Sequence, residues 1–90
     1  MLFMVIEKFR NQNAKAVYRR LRDEGRGFPD GLAYVGSWVT ADVARCFQLM
    51  ETDDVTLLQR WVADKSDLVE FEIVPVAPGP DTAAALAGQL

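Results

Sequence analysis

From Leu2 to Phe9 the chain is apolar at nearly every position, and it then breaks into Arg10-Asn11-Gln12-Asn13. A run of that length, rich in Val, Ile and Phe and closed by turn formers, predicts a strand buried on both faces. With a period of two, Leu2, Met4 and Ile6 point one way and Phe3, Val5 and Glu7 the other, which leaves a carboxyl at the end of an apolar row. The period changes at Ala14. Ala14, Val17, Tyr18 and Leu21 fall at i, i+3, i+4 and i+7, one stripe of an amphipathic helix over Ala14–Glu24. Asn13 suits its N-cap and Gly25 its C-terminal stop.

A glycine- and proline-rich connection, Arg26 to Gly31, leads into a second strand over Leu32–Val39. A turn around Thr40-Ala41-Asp42-Val43 and a third strand over Ala44–Glu51 complete a hairpin. Gly36 sits inside the first arm, where a glycine marks a bulge or the close approach of another group. Asp54 can cap a second helix carrying Leu57, Leu58, Trp61 and Val62, and Asp64-Lys65-Ser66-Asp67 ends it. In the last strand, Leu68–Val76, Phe71 and Ile73 alternate with Glu70 and Glu72, and Pro75 is best tolerated near the strand end or on a sheet edge. The tail, residues 77–90, offers a short alanine-rich helix that Asp81 can cap, either frayed or lying as an arm on a neighbouring subunit.

The order βαββαβ with right-handed crossovers predicts an α+β, ferredoxin-like domain over residues 1–76. It has one four-stranded antiparallel sheet with two helices on one face. Alternation along the strands puts Phe3, Val5, Glu7, Tyr34, Trp38, Cys46, Gln48, Met50, Glu70, Glu72 and Val74 on the face away from the helices, with Phe47 toward them. So apolar a face calls for a cover, and two copies packed sheet to sheet supply one, pairing the chain as a dimeric α/β barrel. The small size points the same way, because 90 residues bury a limited core and no disulfide framework compensates.

Charge changes the picture little. Residues 1–30 carry seven basic and four acidic side chains, residues 31–90 three basic and nine acidic. A basic first third can meet nucleic acid, but a solvated helix face that complements acidic surface elsewhere explains it as well. The third strand lacks the glycine and aromatic pattern of an RNA-recognition motif, so no nucleic-acid partner is expected. Cys46 is the single cysteine and histidine is absent, which removes the commonest general base and suits a cytoplasmic protein. The opening apolar run is too short for a membrane span or a signal peptide, and no membrane association is expected.

Four stretches carry a resemblance: Met-Leu-Phe-Met-Val-Ile-Glu at the start, Gly-Leu-Ala-Tyr-Val-Gly-Ser-Trp-Val, Arg-Cys-Phe-Gln-Leu-Met-Glu-Thr-Asp-Asp, and Asp-Leu-Val-Glu-Phe-Glu-Ile-Val-Pro-Val. They resemble, in register from Met1 to about Val76, a family of small bacterial proteins defined as a domain of unknown function. The resemblance implies a homodimeric α/β barrel. The wider group includes antibiotic-biosynthesis-type monooxygenases, muconolactone-isomerase-like proteins and stress-responsive barrels. It brings no catalytic residues with it.

The candidate ligand-binding residues are Glu7, Tyr34, Trp38, Cys46, Gln48 and Glu72. Tyr34 and Trp38, four apart on one strand, can hold a flat apolar molecule between two rings or simply pack a dimer core. Glu7, Glu70 and Glu72 can cluster and raise one another's pKa, or face water beside Arg10 and Arg45. Cys46 lacks an activating base and reads as structural. Gln48 must find hydrogen-bond partners if buried. No metal-ligand spacing, phosphate loop or Ser-His-Asp order is present, so no cofactor is called for. The expectation is a small cytoplasmic protein binding a small, largely apolar or aromatic molecule between sheet and partner. Cofactor-independent monooxygenase-like or isomerase-like chemistry would suit the resemblance. The alternative is a non-catalytic dimerisation or regulatory module with a filled inter-sheet core.

Overall fold

The computed structural model describes all 90 residues. Seven principal elements follow one another: β1 (Leu2–Phe9), α1 (Ala14–Glu24), β2 (Ala33–Val39), β3 (Arg45–Glu51), α2 (Val55–Lys65), β4 (Val69–Val76) and α3 (Gly79–Leu86). The helix ends form for the local reasons their sequences suggest. Asn13 Oδ1 accepts the Ala16 N–H at 3.2 Å, and Asp54 Oδ1 accepts that of Thr56 at 2.9 Å. Gly25 takes a φ of 72° while its N–H reaches the Leu21 carbonyl at 2.9 Å. In α3, Asp81 lies in the first turn, and Pro78 occupies the cap position.

The four strands form one antiparallel sheet in the order β2-β3-β1-β4, an α+β ferredoxin-like arrangement. β4 is an edge strand, and Pro75 near its end costs the ladder little. The main core lies between the sheet and α2, where Phe3, Val5 and Met50 meet Leu58 and Trp61. A smaller cluster of Phe9, Cys46 and Val69 sits under the start of α1. Helix α1 buries none of its residues completely, whereas α2 buries Leu58 and Trp61.

The sheet faces are the reverse of what alternation suggested for β1 and β3. Phe3, Val5, Glu7, Cys46, Gln48 and Met50 lie on the helix side, and Phe47 lies on the open side opposite Ile6 and Trp38. Both alternating sets of β1 are apolar, so the pattern alone does not choose between them. The register does. Glu7 stands opposite Phe71 of β4, and Val5 opposite Ile73. In β2 the register slips between Tyr34 and Gly36, making Val35 the extra residue of a bulge. The bulge turns Tyr34 toward the helices and leaves Trp38 on the open face. The six-membered ring of Trp38 covers Gly36 so closely that a Cβ there would stand 3.3 Å from it.

The open face is apolar along its centre, with Leu2, Met4 and Ile6 from β1 beside Phe47 and Leu49 from β3. Trp38 on β2 is 59% exposed and Val74 on β4 is 38% exposed at its two flanks. Charges rim it at Lys8, Arg45 and Glu70.

Beyond Val76 every residue is exposed, and α3 projects from the body. The radius of gyration is 15.0 Å, where a compact chain of 90 residues has about 12 Å.

Candidate functional site

Two rows of side chains cross the helix face of the sheet. One runs Ser37, Gln48, Val5, Ile73; the next runs Val39, Cys46, Glu7, Phe71. Four of these eight are polar or carry a thiol, and they lie where α1 passes over the sheet without burying a residue. The result is a cavity of about 110 Å³ between sheet and helices, floored by Glu7, Cys46, Gln48 and Ser37. Val17, Tyr18 and Leu21 of α1 roof it, Trp61 and Lys65 of α2 close one side, and Arg26 and Phe28 of the β2 approach close another.

Glu7 is the group the surroundings disturb most consequentially. Burial disfavours its charged form and raises its pKa, while a hydrogen bond from the Cys46 thiol and the Arg26 guanidinium pull back the other way. Cys46 feels the same burial together with the Glu7 charge, and its thiol is pushed up to about 12. It therefore stays a thiol and acts toward Glu7 as a hydrogen-bond donor, not as a nucleophile. Burial also raises the Tyr18 phenol, with the Glu7 charge adding to it. Gln48, 3% exposed, directs its amide nitrogen to Met50 Sδ at 3.2 Å. That thioether is a weak acceptor, so the amide is only weakly held there.

The loop that brings Arg26 is fastened at two points. Trp61 Nε1 donates to the Arg26 carbonyl at 2.9 Å. The Arg26 guanidinium lies 4.1 Å from the centre of the Tyr34 ring, whose other contacts are a stack on Phe28 and a 2.7 Å hydrogen bond with Ser37 Oγ.

Of the six residues singled out from sequence, Glu7, Cys46 and Gln48 come together on the cavity floor. Tyr34 stands behind the wall and positions Arg26 and Ser37. Trp38 and Glu72 lie on the opposite face of the sheet, so the paired-ring clamp of Tyr34 with Trp38 does not form. Nor does the carboxylate cluster: Glu70 and Glu72 pair with Lys8 and Ile6, away from Glu7, and Glu70 takes a 3.1 Å ion pair with Arg10. The basic surface of α1 is partly matched within the chain, Arg20 gripping Asp67 through two hydrogen bonds of 2.8 and 2.6 Å. Tyr18, Arg26, Ser37 and Lys65 were not anticipated. Tyr18 carried a usable signal, since it lies on the apolar stripe of α1 with a hydroxyl to place. Arg26 sits in a loop, and its position depends on tertiary contacts alone.

No group of His, Cys, Asp and Glu side chains is arranged to hold a metal ion, and no helix is long and apolar enough to cross a membrane. No curated protein and no solved structure matches the chain. One family model does, and it spans residues 1–90, so that α3 falls inside the same unit as the sheet. The chain with this half-buried carboxyl under α1 belongs to the DUF3303 family, a domain of unknown function.

Proposed function

We propose that this protein binds a small, largely apolar organic molecule in the cavity between sheet and helices, and that Glu7 exchanges a proton with it. The observation that carries the reading is a carboxyl of raised pKa on the floor of a cavity, with a thiol as its hydrogen-bond donor. General acid–base catalysis needs a group whose proton affinity lies nearer the working pH than that of a free carboxylate, and burial is the usual means of obtaining it. Of the two chemistries that the sequence resemblance suggested, proton-transfer isomerisation is the one Glu7 suits. Its carboxylate can take a proton from a carbon beside a carbonyl and return it to a neighbouring atom, while Gln48 and Tyr18 orient the oxygen. The test is exchange in deuterated water, followed by NMR, of acidic C–H positions in a panel of small ketones and unsaturated acids. The expected result is exchange with wild-type protein and loss of it with Glu7→Gln. Equal rates for the two proteins, or no exchange above buffer, refute the role of Glu7.

A homodimer built through the open sheet face belongs to the same reading. Its support is the apolar centre of that face, with the exposed Trp38 ring at one flank. Four strands about 4.8 Å apart and some seven residues long present roughly 450 Å² in projection, so two copies bury about 900 Å². That lies below the roughly 1,200 Å² at which stable interfaces begin, and the α3 arms are the part of the chain free to supply the remainder. Sedimentation of wild type and Trp38→Asp tests it: a concentration-dependent dimer that Trp38→Asp abolishes is expected, and a wild-type monomer at high concentration refutes it. A dimer without ligand exchange at Glu7 would favour the alternative reading of a non-catalytic dimerisation module.

A further inference from the structure

The charges around the cavity do not balance. Three cations line it: Arg20, Arg26 and Lys65. Arg20 is committed to Asp67 by its two short hydrogen bonds. Lys65 has only its sequence neighbour Asp64, at 3.8 Å, and its side chain is 16% exposed, lying so close over Gly27 that a Cβ there would be 3.1 Å from Nζ. Arg26 makes no salt bridge; the Tyr34 ring beneath it is its fixed contact. Glu7 is the one carboxyl on the cavity wall, and burial works against its ionisation. A guanidinium remains charged under all ordinary conditions, and one already held over a ring loses less freedom when it takes a partner. The field of Arg26 already reaches Glu7, Cys46 and Tyr18, so the cation and the cavity floor belong to one site.

The space sets the other half of the ligand. An enclosed volume of about 150 Å³ accepts benzene, so the 110 Å³ here, open at its mouth, fits a short aliphatic chain or most of one six-membered ring. Its walls, from Phe9, Val17, Leu21 and Val69, are apolar.

Resting on the ligand-site reading above, we infer that the cavity is built for a small organic monocarboxylate, its apolar body between α1 and the sheet and its carboxylate against the Arg26 guanidinium at the mouth. Lys65 adds attraction without the bidentate geometry. Arg26 has no carboxylate partner within the chain, so the ligand's own charge is the one left for it to neutralise.

The experiment titrates the full chain with benzoate and butyrate and with their neutral counterparts benzamide and butyramide. Binding is followed through backbone amide shifts of Cys46 and Gln48, in wild type and in Arg26→Gln. Each acid is expected to bind about 10- to 100-fold more tightly than its amide, the worth of a charge-assisted bidentate pair. Arg26→Gln should remove most of that preference and leave the amides unchanged. Equal binding of acid and amide to wild type overturns the inference while leaving the cavity a ligand site. A preference that survives Arg26→Gln at full strength overturns the assignment to Arg26. No binding by any of the four probes overturns the ligand-site reading and this inference together. Should Arg26→Gln fail to fold, the wild-type contrast between acid and amide still decides whether the site selects anions.

Discussion

Trp61→Phe is a perturbation whose cost can be worked out from its contacts. The indole is 6% exposed, packs against Phe28 and Phe71 at centroid distances of 5.3 and 5.4 Å, and donates its N–H to the Arg26 carbonyl. Phenylalanine keeps a ring in the cluster and loses the donor. The hydrogen bond contributes about 1 kcal/mol net, since the exposed loop lets water replace the indole at the carbonyl. The smaller ring gives up roughly 40 Å² of buried apolar surface, another 1 kcal/mol or so at about 25 cal/mol per Å². The expected loss of about 2 kcal/mol is a substantial part of the roughly 5–13 kcal/mol available to a domain of this length. It should lower the melting temperature by about 8–16 °C. Urea unfolding followed by far-UV circular dichroism measures it, with a midpoint shift of about 1–2 M for a slope near 1–2 kcal/mol per M. Hydrogen exchange adds a local readout, because residues 26–31 lose one of their two fastenings and should exchange faster than the sheet. A loss under 0.5 kcal/mol, with loop exchange unchanged, would refute the claim that this bond holds Arg26 at the cavity.

Three further outcomes follow from named groups. Burial lifts the folded-state pKa of Glu7 above its ordinary 4.5, so the native state holds that proton more tightly than the unfolded chain. The stability this confers is complete below the ordinary value and is lost as pH rises through the folded one; Glu7→Gln should abolish that slope and unfold at higher urea than wild type at alkaline pH. Cys46, pushed up to about 12, should react with iodoacetamide at pH 8 some 10³-fold more slowly than an unhindered cysteine, with Glu7→Gln faster than wild type; a rate near that of a free thiol contradicts the assignment. Val43 holds a φ of 60° in the β2–β3 turn, a conformation that costs a β-branched residue about 1–2 kcal/mol, so Val43→Asn should stabilise the chain by about 0.5–1 kcal/mol in urea.

The fold was largely legible because helix and strand periods are distinct here. β1 and α1 begin and end at the residues their patterns suggest, and the remaining strands differ by one residue at their starts. The choice of sheet face was not legible, since Leu2-Met4-Ile6 and Phe3-Val5 are equally apolar and a strand reads the same either way round. Long-range pairing settles it by setting Glu7 opposite Phe71. Gly36 did signal a bulge, but the consequence for Tyr34 and Trp38 follows only once the extra residue is known to be Val35. Glu7 drew attention as an acid in an apolar row, and the fold sets it on the floor of the cavity. Arg26 and Lys65 gave no such sign, because a loop cation and a helix-end lysine look alike whether they meet water or a cavity.

The projecting C-terminal helix has a consequence of its own. An eight-residue helix has too few hydrogen bonds to offset the cost of starting it, and in water it melts unless something shelters one side. Ala83 and Leu86 fall on one stripe of it, and Leu86 is 45% exposed. Whatever surface meets that stripe decides whether these residues are helix or coil. The arm is therefore a gauge of company: the helical signal it adds, over a chain ending at Val76, measures how often the protein is touching something else.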